Sequence, residues 1–184
     1  IIAAVQQFRT NNNNTPLILM GYYNPIYRYG VSSFCKDAGS AGVDGLIIVD
    51  LPPEEEREIT PHLEQNNLNL IRLIAPTSDA ERVKKITASA SGFVYYISVT
   101  GVTGATTASS DDLAKKLEAL HKITPLPVAI GFGIKTPEQA KAAAQHADAV
   151  VVGSALVTKI AESKDPVAVA GVFVSELATS LKNN

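Results

Sequence analysis

A (β/α)8 barrel, with parallel strands inside and helices outside, is the fold class this 184-residue sequence predicts. Three observations predict it. Continuous Ile/Leu/Val/Tyr/Phe runs alternate with amphipathic stretches, and such runs suit strands covered on both faces. The repeat is roughly 20 to 35 residues, the size of a βαβ unit. A short polar or glycine-bearing segment follows almost every strand, and in a barrel all of these lie at one mouth, where active sites are built. The alternative is an open doubly wound sheet, but its dinucleotide fingerprint G-x-G-x-x-G is absent.

The elements follow in order. Residues 1–5 read as a helix entered partway, with no capping residue before it. Asn11, Asn12, Asn13 and Asn14 form a loop. Strands are predicted at 17–22, 45–49, 69–74, 93–98, 127–131 and 149–152. Between them, a helical stretch holds Cys35 and ends near Ala38-Gly39. Ser78 and Glu81 have capping-box spacing. Leu113, Leu117 and Leu120 mark one helix face after Ser110. Thr136, Pro137 and Gln139 supply a cap, a first-position proline and a reciprocal glutamine. A helix opens at Gly153-Ser154, and Val167, Ala170, Val174, Leu177 and Leu181 mark one face of the last helix. This makes six βα units. A complete barrel needs eight strands and typically about 250 residues. The expectation is a single incomplete barrel domain over 1–184, whose first two strands precede Ile1.

Composition narrows the function. With 46% apolar and 18% charged residues and a net charge of −2, the chain has the makings of a sizeable core and none of the signature of disorder. No basic block marks a nucleic-acid binder. The longest apolar runs fall far short of the ~20 residues of a membrane span. Cys35 is the only cysteine, which excludes an intrachain disulfide and a cysteine-based metal site and suits a reducing cytoplasm. Ile1 to Val5 carries neither an initiator Met nor a signal-peptide n-region.

Three glycine-bearing segments stand on consecutive units: Gly101-Val102-Thr103-Gly104, Gly131-Phe132-Gly133 and Gly153-Ser154. Glycine lets backbone N–H groups approach a ligand, and a helix N-terminus adds free donors and a positive dipole end. Barrels often bind phosphate after their last two strands. These segments therefore point to a phosphomonoester or similar anion, against the plainer reading of tight turns. Tyr22, Tyr95 and Phe132 sit at or near strand ends, where they wall a flat apolar pocket or simply fill core. Asp50 follows an apolar strand, placed to act as a base or to orient a partner such as Tyr22. Glu54, Glu55 and Glu56 read as a solvated first helical turn. His62, His121 and His146 read as surface residues, and Cys35 as a packing residue. No spacing of His, Asp or Glu resembles a metal site.

The segments Met20-Gly21-Tyr22-Tyr23-Asn24-Pro25, Val49-Asp50-Leu51-Pro52-Pro53-Glu54-Glu55, Ala75-Pro76-Thr77-Ser78, Tyr95-Tyr96-Ile97-Ser98, Gly101-Val102-Thr103-Gly104, Gly131-Phe132-Gly133-Ile134-Lys135-Thr136-Pro137-Glu138 and Val152-Gly153-Ser154-Ala155 occur in this order. Together they closely resemble the tryptophan synthase alpha-subunit family of bacterial type, over effectively the whole chain. The resemblance implies a TIM barrel and a carbon–carbon lyase of tryptophan biosynthesis. Its reaction is retro-aldol cleavage of indole-3-glycerol phosphate to indole and glyceraldehyde 3-phosphate. It implies no cofactor in the alpha subunit, and an αββα complex that passes indole to a pyridoxal-phosphate-dependent beta subunit. Gly104, Gly133, Gly153 and Ser154 match the family's phosphate positions. Tyr22, Tyr95, Thr103 and Phe132 match positions around the indole ring. Asp50 matches a supporting acidic position, and residues 99–110 match a mobile lid. The family's catalytic Glu and Asp match nothing here and would precede Ile1, so the resemblance implies an inactive isolated chain. A sugar-phosphate isomerase barrel such as phosphoribosylanthranilate isomerase would share the cradle without the Val-Asp-Leu-Pro-Pro-Glu-Glu and Gly-Val-Thr-Gly segments. A partial barrel that binds without turnover is the other competing reading.

Overall fold

A computed structural model describes residues 1–97, 110–131 and 133–182. Thr103, Gly104, Phe132 and most of the expected lid lie outside the described residues. The described strands form two sheets, ordered β1-β2-β3 and β4-β5-β6-β7. The chain divides into two compact units, Ile1–Leu73 with Glu81–Val94, and Ile74–Ala80 with Tyr95–Asn184.

In the first unit, α1 (Ile2–Arg9) precedes β1 (Ile18–Gly21). Helices α2 (Tyr23–Tyr29) and α3 (Val31–Ala41) lead to β2 (Gly45–Ile48). A 3-10 turn over Pro53–Glu58 and α4 (Thr60–Gln65) lead to β3 (Asn69–Leu70) and β4 (Arg72–Ile74), and α5 is Ala80–Thr87. β1 and β2 are parallel, with Ile18 opposite Gly45 and Gly21 opposite Ile48. Residues 2, 3 and 4 of that register bring Leu46, Ile47 and Ile48 into the ladder, and all of β2 is buried. Val31, Cys35, Ala38 and Ala41 bury one face of α3 at helical spacing, packing with Leu46, Ile59 and Leu63 in one core cluster. α3 ends where the Val43 N–H reaches back to the Ala38 carbonyl at 3.0 Å, with Gly42 left-handed between them.

The Asn-rich loop has internal order. Asn12 Oδ1 accepts the N–H groups of Asn14 (3.2 Å) and Thr15 (2.9 Å), an Asx turn. Arg9 ties it down by donating to the Thr15 and Gly42 carbonyls (2.8 Å each) and to Asp44 (2.6 Å). Asp44 also accepts the Leu17 N–H at 2.6 Å, which fixes the entry to β1.

Two expectations need correction here. The predicted strand 69–74 breaks at Ile71, although the Ile71 N–H still donates to Leu46 at 2.9 Å and extends the pairing with β2 one residue past β3. α5 begins at Ala80, so Asp79 rather than Ser78 stands just before the first helical residue.

Cys35 is fully buried, and burial pushes its thiol up to about 11. The thiolate is the reactive form. Cys35 should therefore resist an aqueous thiol reagent in the native chain and react fully in denaturant; prompt native labelling would show the α3 core to be open.

In the second unit β5 is Val94–Ile97, α6 Ser110–Ile123, β6 Val128–Gly131, α7 Pro137–Ala144, β7 Ala149–Val151, α8 Ser154–Glu162 and α9 Pro166–Lys182. Leu117 and Leu120 are buried on α6 as their spacing predicts, with Leu113 half-buried. Thr136 accepts the Gln139 N–H at 3.3 Å, while Gln139 Oε1 reaches back to the Lys135 N–H at 2.8 Å. The predicted face of α9 is rotated. Phe173 and Leu177 are its buried residues, and Val167 and Val174 are exposed. That helix is apolar on nearly every side over its first half, so periodicity does not select a face.

His121 is exposed, as predicted, but it is bonded at both ring nitrogens. Nε2 lies 2.9 Å from Asp148 Oδ2 and Nδ1 lies 2.9 Å from the Leu117 carbonyl. Two oxygen acceptors favour the imidazolium, and the bond to Asp148 raises the His121 pKa. Asp148 also accepts the Val128 N–H at 2.7 Å, and that bond first, then His121, lowers its pKa. A raised histidine stabilises below its unfolded value of about 6.5 and loses this as pH rises through its folded value. A lowered carboxylate stabilises above its unfolded value of about 3.9 and loses this as pH falls through its folded value. The pair is therefore strongest between roughly pH 4 and 6.5. His121→Gln should cost about 0.2–1 kcal/mol in that window, the range for an exposed pair, and less above it. Urea unfolding at pH 5.5 and 8.5 checks this; an equal loss at both values would contradict it. His62 and His146 are half-buried rather than surface residues.

Candidate functional site

Each unit holds some of the predicted residues. In the first, β2 ends at Ile48 and the chain turns through Asp50. Asp50 Oδ1 accepts the backbone N–H of Tyr23 at 2.7 Å. Tyr23 is the first residue of α2 and Tyr22 its N-cap position. A carboxylate there satisfies a free helix donor and suits the positive dipole end. The observed partner of Asp50 is thus the Tyr23 peptide and not the Tyr22 phenol. Tyr22, the last residue of the predicted strand 17–22, lies past the end of β1 and stands before the first turn of α2. Tyr22 itself is 62% exposed. Burial, then Glu58, pushes the neighbouring Tyr23 phenol up to about 12.

A cavity of about 360 Å³ lies beside this turn, lined by Val49, Asp50, Leu51, Arg72, Leu73 and Arg82 among others. Its wall is held by ion pairs that sequence reading missed. Glu54 pairs with Arg82 (2.6 Å) and Lys85 (2.7 Å), and these bonds pull its carboxyl down to about 2. Glu56 pairs with the buried Arg72 and accepts a 2.8 Å bond from Ser89. The three glutamates are therefore not a uniformly solvated turn. Capping-box and dipole arguments are local, and these partners lie 16 to 33 residues away in the chain, beyond any helical period.

In the second unit, Tyr95 and Tyr96 are both buried, as befits a strand covered on both faces. A Cβ built on Gly131 would fall on the Tyr95 hydroxyl and lie 2.8 Å and 2.9 Å from ring carbons Cε2 and Cζ. Tyr95 and Gly131 are thus in direct contact. β6 and β7 are parallel, with Gly131 opposite Val151. Two residues on from each partner stand Gly133 and Gly153. The register therefore carries both to the same end of neighbouring strands, whose spacing is about 4.8 Å.

The two glycines differ. Gly133 has φ +85°, a conformation that itself calls for glycine. Gly153 has φ −116°, outside the left-handed region, and a Cβ there would meet nothing within 4 Å among the described residues. No backbone strain or chain neighbour requires glycine at 153. The free N–H groups of α8 begin at the exposed Ser154, and α8 has no side-chain cap. A helix N-terminus that no described residue crowds suits an anion. Thr103, Gly104 and Phe132 lie outside the described residues. Among the described residues no cluster of His, Cys, Asp and Glu could hold a metal ion, and no helix is long and apolar enough to cross a membrane.

The family model described as "Tryptophan synthase alpha chain" matches residues 1–183. The tryptophan synthase alpha chain of Acidiphilium cryptum is 52% identical over 164 residues, covering 89% of this chain and 59% of the relative. That of Gluconacetobacter diazotrophicus is 53% identical over 165 residues, covering 90% and 60%. The chain thus spans about 60% of the length of these curated relatives. The crystal structure of the alpha subunit from Legionella pneumophila superposes with a TM-score of 0.89 at 38% identity, covering 100% of this chain and 69% of that one. The structure from Pyrococcus furiosus titled for mutual activation of the tryptophan synthase a2b2 complex gives 0.82 at 34% identity, covering 97% and 70%. The alternating parallel strands and helices described above are those of this (β/α)8-barrel family, and the sugar-phosphate isomerase alternative falls away. On the match to residues 1–183 and these identities, the chain belongs to the tryptophan synthase alpha chain family.

Proposed function

We propose that this chain is the phosphate- and ring-binding part of an indole-3-glycerol-phosphate lyase. Its reaction is the retro-aldol release of indole and glyceraldehyde 3-phosphate, in the cytoplasm. The observation that carries the reading is Gly153: an unstrained glycine with open space, at the uncapped N-terminus of α8 and in register beside Gly131–Gly133. The backbone amides of Gly133, Gly153 and Ser154, with Gly104, hold the substrate phosphate as neutral donors. Tyr22, Tyr95, Thr103 and Phe132 border the indole ring, and Asp50 supports the site by fixing the start of α2. The cleavage needs a proton delivered to indole C3, a sink at the indole N–H and a base for the glycerol hydroxyl. The family's Glu and Asp supply these, and no carboxylate of this chain matches them. The chain therefore binds without turning over. The partner is a beta subunit in an αββα complex, which the a2b2 title of the P. furiosus relative supports.

An indole-release assay with indole-3-glycerol phosphate tests the reading. The isolated chain should release no indole, while calorimetry detects binding. Gly153→Val should fold, with a stability loss of no more than about 1 kcal/mol for losing glycine at a helix N-cap, and lose at least about tenfold in affinity, as one blocked charge-assisted contact implies. Turnover by the chain alone, or full binding by Gly153→Val, would overturn it.

A further inference from the structure

We propose that Arg72 is a positioning residue: it holds the 50–53 segment, and through it the start of α2, in the arrangement that the ring-binding site uses. The proposal rests on that reading of Tyr22, but its geometry stands apart from it. After β2 the chain leaves the ladder, and the Leu51 N–H makes only a long 3.4 Å turn bond to Ile48. What secures the Leu51 carbonyl is Arg72, which donates from Nη1 at 2.7 Å in a buried setting. The same guanidinium pairs with Glu56, itself held by Ser89. Arg72 thus holds the segment at Leu51, reaches beyond it to Glu56 in the 3-10 turn, and joins both to β4.

The consequence passes to the neighbouring residue. Asp50 precedes Leu51, and its carboxylate holds the Tyr23 N–H at 2.7 Å. The Val49 N–H donates to Gly21 at 2.9 Å. The Tyr22–Tyr23 peptide is therefore placed with reference to a segment that Arg72 fixes. Arg72 is only 4% exposed, so it acts through Leu51 rather than by touching a ligand. An apolar residue would bury at this place in β4 with less desolvation cost. The planar fork is what lets one side chain hold a carbonyl and a carboxylate at once.

The test is the Tyr23 amide proton resonance in the 184-residue chain. A charge-assisted bond moves that proton downfield, and Asp50→Asn supplies the reference for its weakening. Arg72→Lys keeps a cation for Glu56 but cannot span both partners. It should carry the Tyr23 resonance at least halfway to the Asp50→Asn position and leave the Ile71 resonance in place. Glu56→Gln, which lowers stability without removing the Leu51 bond, should leave Tyr23 unmoved. A Tyr23 resonance unchanged in Arg72→Lys would overturn the proposal, as would equal movement in Glu56→Gln. Should Arg72→Lys not fold, the wild-type Arg72 Nη protons decide: resolved and slowly exchanging supports the clamp, averaged and fast overturns it. Binding of indole-3-glycerol phosphate forms a separate arm. Arg72→Lys should weaken it about tenfold, the worth of one hydrogen bond of about 1.4 kcal/mol. Failure of the wild-type chain to bind would count against the ring-site reading and leave the resonance result to judge Arg72.

Discussion

Gly131→Ala should destabilise the chain by about 1–3 kcal/mol, the usual cost of overpacking a tight core. Replacing a glycine ordinarily gains about 0.4–1 kcal/mol by restricting the unfolded chain, where the backbone allows it. Gly131 is not among the glycines with positive φ, so that gain is open to it. Packing decides the sign. The new Cβ would land on the Tyr95 ring, which is 7% exposed and cannot swing away into solvent. The double variant Gly131→Ala with Tyr95→Leu should therefore be less destabilised than the sum of the singles, with a coupling of about 0.5–3 kcal/mol. Urea unfolding of the four proteins measures it. Strict additivity would mean that the contact between β5 and β6 is not shared as described.

Glu56→Leu should cost more, about 3–5 kcal/mol, because it leaves the Arg72 guanidinium buried without its carboxylate. At this chain length that is a fall in Tm of roughly 6–20 °C. Adding Arg72→Met should return only part of the loss, since an apolar pair has no charge to desolvate but the Leu51 carbonyl loses its donor. A Glu56→Leu protein as stable as wild type would show that Arg72 finds another counter-charge.

The contrast between these predictions and the sequence reading marks what local pattern can carry. The strands were legible to within a residue or two as continuous apolar runs; β2 and β6 are buried throughout, whereas β1 and β7 keep their runs with Met20 and Ala149 exposed. Thr136-Pro137-Glu138-Gln139 was legible as a helix start because capping is settled within four residues. The 69–74 run was not legible as two strands, since the break at Ile71 marks a change of partner, from β2 beside β3 to β5 beside β4, rather than any change in its own residues. The face of α9 was legible only in part, with Leu177 buried and Ala170 and Leu181 half-buried as predicted but Val167 and Val174 exposed, because Val167, Val172 and Val174 leave little polar side to read. The Glu56–Arg72 pair and the contact of Gly131 with Tyr95 depend on residues far apart in the chain, and no spacing announces them. The candidate site is read chiefly from glycine recurring at strand ends. Gly153 carried a signal that only its φ and its open surroundings turn into an argument, because sequence alone does not separate a glycine kept for its backbone from one kept for its space.

The central claim is that the ends of neighbouring parallel strands gather backbone amides around one dianion. Titration of the chain with inorganic phosphate, followed at the amide resonances of Gly133, Gly153 and Ser154, tests it most directly. The three should move together along one saturation curve, with Ile71 and Leu46 still. Separate midpoints, or no movement at these amides while others respond, would contradict it.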